Sequence, residues 1–241
     1  MNTRNIGIIN KATVSLNQDF QAMVQASQKQ VSRDFAPVWN EDCNLVMIDD
    51  GTDSYSQIYL WDNAQQAGAL GEHHVSPKGF PIGNIYVKVS IQAGDPVSTV
   101  LSHELLELLL NPTIDKVARD PKTGYGWAVE ACDQVEQDSY IIDGIPVSNF
   151  VFPASFNPAA SASDKFDFLG KLHAPFSMDA GGYANVQLPD GSWHQIFADQ
   201  KAFERYHSKE HDRSPQILTA KLPFAKAVTF DVSKYKVVKA Y

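Results

Sequence analysis

The chain has 241 residues, enough for one large domain or a domain with an appended subdomain, and an ordinary apolar fraction that supplies a real core. Its net charge of −8 argues against nucleic-acid binding driven by phosphate contacts. No run of about 18 apolar residues is present, so no membrane span is expected, and the N-terminus has no apolar core long enough for a secretory signal. Cys43 and Cys132 are too few for a disulfide framework; two reduced thiols are expected, with one bridge between them the alternative.

In chain order, the short apolar run at residues 6–9 suits a strand. Asn17 is placed to cap a helix over residues 18–35, with Phe20, Met23, Val24 and Val31 near one face. Leu45-Val46-Met47-Ile48 reads as a buried strand ended by the turn signal Asp49-Asp50-Gly51, and residues 57–61 as another strand rich in β-formers. Residues 68–83, heavy in Gly and Pro, read as a loop, and residues 85–89 as a further strand. Asp95 and Pro96 are suited to open a helix and Asn111-Pro112 to stop it. The order to this point is strand, helix, three strands, helix.

The second half is less regular. Residues 125–133 fit either a short helix or an extended segment. Residues 139–142 and 145–152 read as a hairpin about the tight Asp143-Gly144 turn. Residues 154–163 form a loop, residues 198–211 a polar surface helix, and residues 228–232 a late strand. The expected division is a metal-binding subdomain over 1–135 and a β-rich subdomain over 136–241, packed as one unit.

The chemistry concentrates in the second helix, at His103-Glu104-Leu105-Leu106-Glu107. The segment is apolar on nearly every side, as buried helices are, and contains no Lys or Arg to pair with its acids. Glu104 and Glu107 stand three residues apart and repel. A bound cation resolves both conflicts. His103 and Glu107, four apart, share a helix face with Cβ atoms roughly 5–6 Å apart and can reach one ion. Glu104 lies about 100° round the helix. That position suits a general base for water.

The pattern resembles the His-Glu-x-x-His motif of zincin metallopeptidases, with Glu107 in the second histidine position. The preceding element order is also similar to the zincin N-terminal subdomain. The resemblance covers roughly residues 4–133. It implies a twisted mixed sheet with two long helices, followed here by a β-rich, irregular C-terminal part: an α+β fold. It also implies an edge strand, within residues 68–89 and near Tyr86, that pairs with extended substrate. The metzincin subgroup fits poorly, because Leu110 and Thr113 occupy its Gly and third-ligand positions. The gluzincin pattern draws its third ligand from a later acid. Glu130 is the best match and Asp133 the alternative, either as ligand or as partner of His103. Cys132 between them is a soft ligand that would point elsewhere. The chain further resembles a group of bacterial and phage-associated proteins that share its Ser-His-Glu-Leu-Leu-Glu and Glu-x-Cys-Asp segments.

The implied function is metal-dependent hydrolysis of a peptide or related amide bond in a peptide or protein substrate. A non-catalytic structural or phage-particle protein with a structural ion is the alternative, and an amidase acting on cell-wall peptide a third reading. One His and two carboxylates are harder than two His and one Glu. Zn²⁺ therefore competes with Mn²⁺ or Fe²⁺, with Ca²⁺ open if more oxygens join. The expected location is cytoplasmic or virion-associated.

Other candidates read as structural. His73 and His74, adjacent on a strand, face opposite ways and cannot easily grip one ion together; a surface loop pair is the favoured expectation, and one of them facing the active cleft as a substrate contact the alternative. His207 and His211 lie among charges on a solvated helix. Tyr140 and Tyr183 suit an oxyanion donor but more readily serve packing. Gly181-Gly182 needs only be a turn. Ser98 and Ser102 lack a nucleophile-elbow context.

Overall fold

The computed structural model describes residues 4–51, 56–64, 70–206, 230–232 and 235–238. Its elements follow in chain order. β1 is Arg4–Asn10, α1 Phe20–Lys29, α2 Ala36–Trp39, β2 Cys43–Met47 and β3 Ser56–Trp61. β4 is Gly71–Val75, β5 Pro81–Tyr86, α3 Val87–Ala93 and α4 Val97–Leu110. β6 is Val117–Arg119, β7 Gly126–Ala128, β8 Ser139–Ile142 and β9 Ile145–Ser148. β10 is Tyr183–Gln187, β11 Trp193–Phe197, α5 Gln200–Tyr206, β12 Phe230–Val232 and β13 Tyr235–Val238. The chain is thus α+β, and among the described residues no helix is long and apolar enough to cross a membrane.

Contacts divide the chain into two compact units, Met1–Thr113 with Ser139–Ser148, and Ile114–Asp138 with Asn149–Tyr241. The division expected at residue 135 falls inside the second unit's first segment.

The first unit is built on a sheet of order β2-β1-β3-β5-β4. β1, β2, β3 and β5 run parallel, and β4 pairs antiparallel with β5 at the edge. Ile6, Ile8, Ile58, Leu60 and Ile85 are fully buried on these strands, as expected of parallel strands in the middle of a sheet. α1 is capped by Asp19, whose Oδ1 accepts from the Ala22 amide at 2.8 Å; the expected cap, Asn17, lies before the helix. The helical path continues as a π segment, Gln30–Phe35. Gln28 ties it to β2 by donating to the Cys43 carbonyl at 2.9 Å and accepting from the Leu45 amide at 2.7 Å.

Four expectations in this unit are corrected. β2, expected as a buried strand, is an edge of the sheet on which Val46 and Met47 are exposed. The Gly- and Pro-rich stretch at 68–83 is no simple loop: it holds β4 and the start of β5, joined by a turn in which Ser76 accepts from the Phe80 amide. Glycine and proline are tolerated there because β4 is an edge and Pro81 begins its strand. The strand expected at 85–89 instead ends at Tyr86 and passes into α3. Tyr86 therefore lies on an interior strand, paired with β3 and β4, and the edge is β4.

The β8–β9 hairpin completes the unit. Asp143 and Gly144 both have positive φ, 51° and 83°, the conformation of a type I′ turn. Ile142 and Val147 bury against Ala26.

The second unit holds a sheet of order β12-β13-β11-β10-β7-β6, with a core of Trp127, Phe176, Ala184, Val186, Leu188 and Ile196. The segment at 125–133 resolves into β7 followed by a 3₁₀ turn at Asp133–Val135. Tyr183 packs against Phe197, with ring centroids 6.3 Å apart. α5 realises the first part of the expected surface helix, and β12 the end of the expected late strand. His207 and His211 lie outside the described residues.

Candidate metal centre on α4

Every residue of α4 except Thr99 is buried. The helix packs on β4 and β5, on α1 and α3, and on β9, so no face is left for solvent. Ser98 and Ser102 are explained by the hairpin: Ser98 Oγ donates to the Pro146 carbonyl at 2.7 Å, and the Ser148 amide donates to Ser102 Oγ at 2.7 Å. Pro96 rather than Asp95 precedes the first helical residue. At the other end the Asn111 amide donates to the Glu107 carbonyl at 2.7 Å, and Arg4 reaches the Leu109 carbonyl at 3.3 Å. A cation there favours the helix C-terminus.

The acids of α4 face β4. His73 Nδ1 lies 3.5 Å from Glu104 Oε2 and 3.6 Å from Glu107 Oε2. The other Glu107 oxygen, Oε1, lies 3.1 Å from His103 Nε2. The Glu107 carboxylate is therefore held between two imidazoles, one from its own helix and one from the edge strand. Fractional exposure is 0% for His73 and Glu107, 5% for Glu104 and 9% for His103, so water does little to screen their charges.

One atom each from His73, Glu104 and Glu107 lies within 4.8 Å of the others, a group that could hold one metal ion. The donor chemistry, imidazole nitrogen with carboxylate oxygen, suits Zn²⁺, Mn²⁺ or Fe²⁺. The site also has a cradle. A Cβ placed on Gly71 would stand 2.7 Å from Glu104 Cγ and 2.8 Å from its Oε1, so glycine there makes room for the Glu104 side chain against β4.

Of the residues singled out in the sequence, His103, Glu104 and Glu107 come together in the first unit. Glu130 and Asp133 belong to the second unit. Both are buried, and Asn185 of β10 approaches Asp133 Oδ2 at 3.5 Å. Cys132 is buried and outside any disulfide, as is Cys43, whose pKa burial raises to about 12.

His73 is the residue that the sequence reading left out of the candidate ligands. It is expected on the surface and is instead completely buried. The alternation His73 in, His74 out was the available signal, but the surrounding Gly and Pro hid the strand that gives it meaning. Tyr140 is excluded as a free oxyanion donor: its hydroxyl donates to Asp34 Oδ2 at 2.8 Å, and burial raises its pKa above the usual range. A separate cavity of about 390 Å³ beside the β4–β5 turn is lined by Gln57, Tyr59, Lys78 and Phe80, and none of His73, His103, Glu104 and Glu107 borders it.

No family model matches the chain, and no curated protein or solved structure matches it.

Proposed function

We propose that this protein is a metal-dependent hydrolase acting on a peptide or related amide bond, with its ion held by the acids of α4. The observation that carries the reading is the convergence of His73, Glu104 and Glu107 donor atoms within 4.8 Å in a buried site. The mixed sheet with its antiparallel edge strand beside α4 lends support, as does the zincin-like motif.

A bound divalent ion supplies Lewis acidity and lowers the pKa of a water in the site. Glu107 would hold the ion, and the imidazole of His103, 3.1 Å from Glu107 Oε1, would orient its carboxylate. Glu104 is the carboxylate that the zincin resemblance assigns to take a proton from water and return it to the departing amine. β4, paired on one side with β5, offers its outer backbone to an extended peptide.

A second reading, a structural ion without catalysis, is favoured by the complete burial of His73 and Glu107. A structural site is closed, whereas a catalytic one keeps an open position.

The test compares bound metal in purified wild type and Glu107→Ala, with amide-bond cleavage of a peptide mixture measured on both. Stoichiometric metal and cleavage in wild type, both lost in the variant, are expected. Equal metal content in the two proteins sinks the proposal. Metal without cleavage, and without binding of an added hydroxamate, selects the structural reading.

A further inference from the structure

We propose that His73 and Glu104 are direct ligands of the ion together with Glu107, so that the edge strand β4 and helix α4 close one site within the first unit. The inference rests on the metal-dependent reading above. It departs from the motif's division of labour, in which Glu104 handles only protons and the ligands on this segment are His103 and Glu107.

Spacing is the first support. Ligand atoms about 2.1 Å from an ion at tetrahedral angles stand roughly 3.4 Å from one another. An N–H···O hydrogen bond is shorter, about 2.9 Å. The His73 nitrogen lies 3.5 and 3.6 Å from the two carboxylate oxygens, the separation of neighbouring ligands.

Charge is the second. Glu104 and Glu107 are buried, one helical turn apart, on a helix without Lys or Arg. Two like charges there repel, and burial strengthens the repulsion. One imidazole, in either protonation state, cannot offset both charges. A divalent cation among the three groups offsets both, with His73 as its nitrogen ligand.

The third is the shape of β4. Residue 71 and residue 73 point to the same face of the strand. Gly71 leaves the space that Glu104 fills, and His73 presents its ring beside that carboxylate. The glycine and the histidine thus serve one purpose, a meeting of strand and helix at Glu104. His103, against the other oxygen of Glu107, then orients a ligand. One nitrogen and two carboxylates at this spacing suit tetrahedral Zn²⁺, with Mn²⁺ and Fe²⁺ the alternatives that a harder donor set brings in.

The experiment titrates chelator-treated full-length protein with Mn²⁺ and with Zn²⁺ by calorimetry. Wild type is compared with His73→Gln, Glu104→Gln and a control, Glu72→Gln, on the opposite face of β4. Both site variants are expected to lose more affinity than the roughly 10–100-fold typical of an outer-shell partner, with the control unchanged. Circular dichroism of the metal-free proteins establishes that each is folded. Pulsed EPR of Cu²⁺-loaded wild type supplies a measurement that needs no variant: imidazole nitrogen coupling is expected, and labelling identifies it as histidine. Wild-type affinity in Glu104→Gln overturns the proposal and leaves the metal reading standing, as does a Cu²⁺ signal without histidine coupling. Absence of binding by wild type overturns the metal reading itself, and this inference with it.

Discussion

The amide of Ser148 donates to the hydroxyl of Ser102 across 2.7 Å, joining the end of β9 to the middle of α4 one position before His103. Both groups are buried, and Ser102 Oγ also donates to the Thr99 carbonyl at 3.1 Å. A hairpin that begins 29 residues after the end of the helix thereby fixes the helix that carries the acids.

Replacing Ser102 by Ala leaves the Ser148 amide buried without its acceptor. The expected cost is about 1–3 kcal/mol of unfolding free energy. Urea denaturation measures it, and hydrogen exchange at Ser148 should accelerate. An unchanged midpoint with unchanged exchange would show that the bond contributes nothing.

Gly71→Ala places a methyl 2.7 Å from Glu104 Cγ. Overpacking of this kind costs about 1–3 kcal/mol. Because the displaced group is a carboxylate of the proposed metal site, metal affinity should fall with stability. Calorimetric titration of the folded variant checks this; a variant as stable and as avid as wild type refutes the close approach of β4 to Glu104.

Tyr140 secures the hairpin to the helical layer through Asp34, which also accepts from Arg33 at 2.6 and 2.7 Å. Tyr140→Phe removes one donor from a buried carboxylate, and a loss of about 1.5–3 kcal/mol is expected in chemical denaturation. Burial, first, and the Asp34 hydrogen bond raise the Tyr140 pKa. A group with a raised folded pKa contributes stability in full below its unfolded value, and that contribution is lost as pH rises toward the folded one. Loosening at this contact therefore begins only above about pH 10. Denaturation midpoints across pH 7 to 11 in wild type and in the Phe variant test the sign, since the alkaline loss should shrink in the variant.

Cys43 is buried on β2, and desolvation raises its thiol from 9.0 to about 12. The thiolate is the reactive form, so the native protein should resist alkylation at Cys43 near pH 8. Iodoacetamide treatment followed by peptide mapping should find Cys43 modified rapidly only after denaturation. Equal rates in native and denatured protein contradict the burial.

Much of the first unit could be read along the chain. β1, β2 and β3 stand out as apolar runs, and the Asp143-Gly144 turn has dihedrals that its residues favour. α4 was legible for the same local reasons: an apolar run closed by Asn111-Pro112, with three charged or titratable side chains that its pattern leaves no solvent to receive. These features depend on neighbours within a few residues, which is the range over which sequence patterns carry physical information.

The partners of those side chains were not legible. β4 is a short strand of mixed polarity in Gly- and Pro-rich surroundings, and its antiparallel pairing with β5 is a long-range choice of register. That register turns His73 toward α4 and His74 away, and a slip of one residue would exchange them. Likewise the serines of α4 look like minor interruptions of an apolar helix until β9 is laid against them. By itself the sequence determined that Glu104 and Glu107 occupy a buried helix, on a face where one cation could sit between them. Only the tertiary structure decided that His73 stands opposite them, because the hydrogen-bond register of an edge strand is settled by packing against the helix and not by the strand's own residues.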